Sequence, residues 1–174
     1  MEERQASELV FDGRLIQVRR DTVRIEGGRL TIREVVAHPG AVGILPLTGD
    51  GRIVLVRQFR YAVGRALLEI PAGTREPGEA PEVTARRELL EETGYRAGRL
   101  EELARFYTSP GWADEEIVLF RARALELAGP SPAPDEILDV HAARPDEIPG
   151  LMRDGLVADA KTITAVMLHL GAGS

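Results

Sequence analysis

The chain has 174 residues, 44% of them hydrophobic and 29% charged, with a formal net charge of −6. That length suits one domain with a real core and is too short for two ordinary ones. The negative balance argues against a general nucleic-acid or anionic-membrane surface, and the absence of cysteine excludes disulfides and thiolate metal sites.

The N-terminal stretch MEERQASELVFDG is acidic and lacks the basic segment and apolar core of a signal peptide. No run approaches the ~18 apolar residues needed to cross a bilayer. A cytoplasmic location is expected, with no membrane or nucleic-acid partner. His38, His141 and His169 lie far apart and show no zinc spacing. From Leu15 to His38, two runs of β-formers flank Gly27-Gly28, a hairpin signal. Pro39-Gly40 breaks the chain. Ala41 to Leu47 reads as an apolar strand, Gly49-Asp50-Gly51 as a turn and Arg52 to Phe59 as the next strand, the two making a hairpin. Leu67 to Ile70 is a short strand. Leu100 to Tyr107 and Glu116 to Ala124 are further strands, and residues 128–136 form a Pro-rich loop. A short strand is expected over Ile137 to Ala142 and a helix from Arg144 to about Arg153. A last amphipathic helix over Ala158 to Leu170 would put Ile163, Val166, Met167 and Leu170 on one face. The pattern is α/β, a mixed sheet flanked by a few helices.

The most informative run is GTREPGEAPEVTARRELLEETGY, from Gly73 to Tyr95. Pro77-Gly78 signals a turn and Gly94 a helix end. On the helix between them, Glu88, Glu91 and Glu92 stand at i, i+3 and i+4 and share one face. Such clusters are often a solvated surface. Here the like charges repel, and a hard divalent cation would relieve them, since Mg²⁺ favours carboxylate oxygens and shares its shell with substrate phosphate.

The spacing resembles the Nudix box. Gly73 is followed after five residues by Glu79, and after seven more by Arg87-Glu88-Leu89-Leu90-Glu91-Glu92-Thr93-Gly94-Tyr95. Every specified position matches, with Tyr95 where an aliphatic residue is more usual. Fixed residues at so many fixed spacings make the motif specific. Three further features resemble the ADP-ribose pyrophosphatase branch. They are Arg57-Gln58-Phe59-Arg60-Tyr61, Leu68-Glu69-Ile70-Pro71-Ala72-Gly73, and Pro110 fifteen residues beyond Tyr95.

The resemblance covers most of the chain from Ala41 onward. It implies a Nudix-type α/β/α sandwich with a mixed β-sheet over residues 39–174. Residues 1–38 would be an added N-terminal β-element for dimerisation and substrate binding. The implied activity is hydrolysis of ADP-ribose to AMP and ribose 5-phosphate with Mg²⁺, or with Mn²⁺ or Zn²⁺ in its place. The resemblance assigns Glu88, Glu91, Glu92 and the carbonyl of Ala72 to the metal. Glu79 and Arg87 would support those acids, and Arg60 would hold the diphosphate. Arg57, Glu76, Ser109, Gly111 and Glu115 would line the substrate. Arg33 and Glu34 would reach its adenine end, in the neighbouring subunit of a homodimer.

Several alternatives stay open at this level. Arg57 and Arg60 either clamp phosphate or are a solvated strand end. Trp112, the single tryptophan, either packs in the core or covers a base or ribose. Asp135 and Glu136 are either solvated loop charge or acids brought over the metals on closure. The general base lies among Asp135, Glu136, Glu115 and the box acids. The substrate could instead be a GDP-sugar or FAD. A non-catalytic nucleotide sensor would be expected only where a box carboxylate is missing, and none is.

Overall fold

The structure is a computed structural model that describes residues 1–129 and 139–171. Asp135, Glu136 and the first residues of the strand expected from Ile137 lie outside the described residues. The chain divides into two compact units, Met1–Gly40 with Phe106–Ile117, and Ala41–Arg105 with Val118–Ser174.

The first unit is built on an antiparallel sheet of β1 (Glu3–Asp12), β2 (Gln17–Arg24) and β3 (Leu30–Ala37), in that order. The expected hairpin is β2–β3, paired from Gln17↔Ala37 to Arg24↔Leu30. Its turn uses Gly27 and Gly28 at φ of 84° and 82°, a region that a residue with a Cβ enters only with strain. Strand β1 was not expected. It is exposed along its whole length, so no buried face imposes apolar alternation on its sequence. Residues 106–117 are tied to the end of β3: Val36 N donates to Trp112 O at 2.8 Å and Asp114 N to Val36 O at 3.1 Å. Asp114 Oδ1 accepts the His38 N–H at 2.9 Å.

The second unit holds β4 (Ala41–Pro46), β5 (Ile53–Arg60), β6 (Arg65–Glu69), β7 (Ala72–Thr74), α1 (Pro81–Thr93), β8 (Tyr95–Tyr107), β9 (Glu116–Leu127), β10 (Asp139–Ala143), α2 (Ile148–Arg153) and α3 (Ala160–Gly171); β8 and β9 run on into the first unit. Its strands form one sheet ordered β7-β4-β9-β8 and another ordered β10-β5-β6. The hairpin expected between residues 41–47 and 52–59 is therefore corrected. The two strands meet at a single bridge, Leu47↔Ile53, and then enter different sheets. Val42, Ile44 and Leu45 are fully buried, as are Ile53 to Val56. Strands apolar on both faces carry no alternation to specify a partner.

Alternate residues of β4 face opposite layers. Val42 and Ile44 join Ala85 and Leu89 of α1 and Val118, Phe120 and Ala122 of β9 in one apolar cluster. Gly43 faces the other way; a Cβ there would lie 2.8 Å from Leu119 and 3.1 Å from Ile70. Helix α3 packs on β4, and its Thr162 Oγ1 accepts the Ile70 N–H at 2.9 Å. Helices thus flank the sheet as an α/β/α arrangement. The buried face of α3 is Thr162, Ala165 and Val166, while Met167 is exposed. Of the expected stripe, Val166 is buried, Ile163 and Leu170 are half-buried and Met167 lies outside the buried face. No described helix is long and apolar enough to cross a membrane.

Candidate active site

Helix α1 starts at Pro81, whose fixed φ suits the first helical position, and ends where Gly94, at φ 72°, donates its N–H to Leu90 O. Leu89 and Ala85 anchor it in the core. That anchorage sets where Arg87, Glu88, Glu91 and Glu92 point.

One guanidinium organises three of the acids. Arg87 donates from Nε and Nη2 to the two oxygens of Glu79 at 3.3 and 3.2 Å. Its Nη1 donates to Glu88 Oε1 at 2.7 Å and to Glu91 Oε2 at 3.1 Å. Glu79 also accepts from Thr84 Oγ1 at 2.8 Å and from the backbone N–H of Glu76 at 3.3 Å. The hydrogen bonds from Arg87, then that from Thr84, lower the Glu79 pKa from 4.5 to about 2. The bond to Glu79 in turn raises the Arg87 pKa above its ordinary value, helped by the charge of Glu88.

The loop before the helix is shaped to these acids. A Cβ on Gly73 would sit 2.0 Å from Glu88 Cδ and Oε1, so only glycine lets the carboxylate lie against this backbone. Glu92 is 6% exposed and accepts the Ala72 N–H at 3.0 Å through Oε2. Strand β7 holds this segment by pairing Ala72 with Gly43 and Gly73 with Val42. Among the described residues no group of three or more acids or histidines converges on one point. Instead, Arg87 engages Glu88 and Glu91, and the Ala72 N–H engages Glu92. The donor chemistry, carboxylates with a backbone carbonyl in the same segment, fits a hard divalent cation, and the absence of a side chain at Gly73 leaves room for the Glu88 carboxylate against that backbone.

Arg60 ends β5 in a fork on Glu69, with Nε to Oε1 at 2.8 Å and Nη2 to Oε2 at 2.6 Å. Glu69 is 1% exposed. The same Oε2 accepts from Lys161 Nζ, which also donates to Asp159 Oδ1 at 2.9 Å. Burial alone would raise the Glu69 pKa, but Arg60 and Lys161 together hold it below the ordinary value. The Arg60 pKa is raised, chiefly by Glu69, and the charge of Glu92 contributes. Arg57 is exposed. Sequence reasoning missed Glu69, Lys161 and Asp159 as a set. The signals were a glutamate inside the apolar run LLEIPA and a single lysine in an arginine-rich chain.

The remaining candidates lie in the first unit, except Glu76, which is exposed in the box loop. Arg33 pairs with Glu2 at 3.1 and 2.5 Å. Glu34 is exposed on β3, opposite Arg20. Ser109 O accepts the N–H groups of Trp112 at 3.0 Å and Ala113 at 2.9 Å, in a turn where Gly111 is exposed. Glu115 accepts from Thr108 Oγ1 at 2.8 Å and lies 3.6 Å from His38 Nδ1. Trp112 is 58% exposed, which removes the core alternative for its ring.

Known proteins with this pattern agree. The NUDIX domain profile matches residues 37–166. An ADP-ribose pyrophosphatase of Bacillus subtilis (strain 168) is 42% identical, over 92% of this chain and 88% of its own length. A methanol dehydrogenase activator of Bacillus methanolicus is 40% identical, over 92% of this chain and 88% of its own. A crystal structure described as an ADP compounds hydrolase superposes with a TM-score of 0.86, covering 98% of this chain and 92% of that one. Its identity of 22% supports the fold alone. With a complete box on α1 and a profile match over most of its length, the chain belongs to the Nudix family.

Proposed function

We propose that this chain hydrolyses the diphosphate of ADP-ribose to AMP and ribose 5-phosphate. The observation that carries the reading is the complete acid face of α1 set against Ala72 and Gly73, in a chain 42% identical to a protein named ADP-ribose pyrophosphatase. In the reaction, water adds across the P–O–P bridge: its oxygen forms one P–O bond, the bridging P–O bond breaks with the bridging oxygen leaving on the other phosphate, and the two protons of the water pass to the two phosphate products or to solvent.

Glu88, Glu91, Glu92 and the carbonyl of Ala72 are the residues that would hold Mg²⁺, with Mn²⁺ or Zn²⁺ as substitutes. Bound there, the ion would neutralise phosphate charge and lower the pKa of a bound water. Arg87 offsets the like charges of Glu88 and Glu91, and Glu79 fixes Arg87 in turn. Arg60, with Arg57, offers guanidinium donors to the diphosphate, whose oxygens match their geometry. Glu76, Ser109, Gly111 and Glu115 are assigned to the substrate. The cysteine-free sequence is in keeping with a cytoplasmic enzyme.

Residues 1–38 are proposed to make a homodimer and to bring Arg33 and Glu34 to the adenine end of the partner's substrate, beside a Nudix domain of residues 39–174. The sheet β1–β3 supports this, since Leu9, Phe11, Leu30 and Ile32 are about half exposed on it. Light scattering at micromolar concentration tests it: a dimer is expected, and a monomer overturns it.

The substrate is tested by comparing kcat/KM for ADP-ribose, GDP-mannose and FAD with Mg²⁺. ADP-ribose is expected to lead, on the strength of Pro110 and the Arg57–Tyr61 stretch. A better value for either competitor overturns the ADP-ribose assignment.

A further inference from the structure

We infer that Lys161 and Asp159, at the start of α3, are positioning residues for the substrate diphosphate and act through Glu69 on Arg60. The inference rests on the diphosphate-binding role proposed for Arg60. Glu69 lies buried at the end of β6, and both its oxygens are taken by the fork of Arg60. That pair alone would already balance its charge. A second cation, Lys161, nevertheless donates to the Oε2 that Arg60 uses. Lys161 is held in turn by Asp159 Oδ1 at 2.9 Å, and the same oxygen accepts the Thr162 N–H at 3.0 Å, fixing it to the first turn of α3. The four charges form a neutral chain that runs from a helix end to one arginine.

Arg60 is the most exposed member of that chain. Its side chain is 39% exposed, against 17% for Asp159, 12% for Lys161 and 2% for Glu69. Nε and Nη2 of Arg60 are spent on Glu69, while its Nη1 has no hydrogen-bond partner among the described residues. Arg60 also lies within the electrostatic reach of Glu92. A guanidinium gripped along one edge and open along the other is oriented before the ligand arrives, so less freedom is lost on binding. Lys161 adds a second property. It keeps Glu69 ionised and in place when the charge of Arg60 is drawn towards a diphosphate. Tying α3 to β6 for stability alone would not require this charge sharing, and that difference can be measured.

Full-length K161M, E69Q and the double variant E69Q/K161M are compared with wild type by thermal melting and by steady-state kinetics. Each KM is taken on whichever nucleoside diphosphate compound the wild type cleaves. A wild type inactive on ADP-ribose would therefore overturn the substrate reading while leaving the variant-to-wild-type ratio readable. K161M leaves Glu69 with one cation and is expected to lower the Tm. It should raise KM about tenfold, with kcat within about threefold, as expected when a binding group is loosened. The double variant has no buried carboxylate at residue 69 and should recover most of the Tm. Its KM should stay about tenfold high, because glutamine has one acceptor oxygen for the two N–H groups that Glu69 holds. Glu69→Gln alone, in which Lys161 keeps Asp159, should show the same KM and carries the test if K161M fails to fold. A folded K161M with a KM within about twofold of wild type would overturn the proposal, as would a double or E69Q variant with a near-wild-type Tm and a KM within about twofold of wild type.

Discussion

The two faces of α1 are built by opposite rules. On one, Ala85 and Leu89 are fully buried in an apolar cluster with Val42, Ile44, Val118 and Phe120. Burial of that kind stabilises a fold and is indifferent to chemistry. On the other face, Glu88, Glu91 and Glu92 gather like charge, and Arg87 and the Ala72 N–H are spent holding it. Nothing in packing asks for three acids there. The loop facing them even gives up a side chain, since Gly73 has room for none. Substitutions on the two faces should therefore separate stability from turnover.

Leu89→Ala should give the largest change on the apolar face, lowering the unfolding free energy by about 2–5 kcal/mol. Urea denaturation measures it. Where the variant remains folded its kcat should stay within about threefold of wild type, and a greater loss would mean that the faces are coupled. Gly73→Ala sharpens the comparison from the other side. The new Cβ would occupy the place of the Glu88 carboxylate, which ends a flexible side chain and can swing away. The expected cost in stability is under about 1 kcal/mol, while kcat should fall at least about tenfold because an acid proposed to hold the metal is displaced. Equal effects on both would break the distinction.

The smallest expected effect concerns pH. The folded pKa of Glu79, about 2, lies below its ordinary 4.5. A depressed carboxylate stabilises the fold above the unfolded value, and that contribution is lost as pH falls through the folded one. The Tm difference between wild type and Glu79→Gln should thus be steady above pH 4.5 and shrink on acidification towards pH 2. A difference that grows in that window would contradict the Arg87–Glu79 pairing.

The box helix was legible because its signals are local: a turn at Pro77-Gly78, three acids at helical spacing and a terminating Gly94. The α/β class followed from strands and helices whose periods differ. What stayed hidden depends on partners distant in sequence. Strand β1 has no buried face to pattern it. The pairing of β4 and β5 is decided by β7, β6 and β10, to which two all-apolar runs give no clue. The Arg60–Glu69–Lys161 chain joins residues 92 positions apart, so a buried glutamate could be noticed in LLEIPA but not matched to its cation. Even within the box, the sequence placed the acids on one face without revealing that Arg87 bridges Glu88 and Glu91.

The central claim, that the acid face of α1 serves turnover rather than folding, is tested most directly by Glu92→Gln. Its kcat on ADP-ribose at saturating Mg²⁺ and its denaturation midpoint should be measured on the same preparation. Glutamine keeps an oxygen for the Ala72 N–H, so the midpoint should stay close to wild type. Loss of the charge should lower kcat by roughly two orders of magnitude or more. A variant that is equally stable and retains more than about a tenth of wild-type kcat would contradict the account.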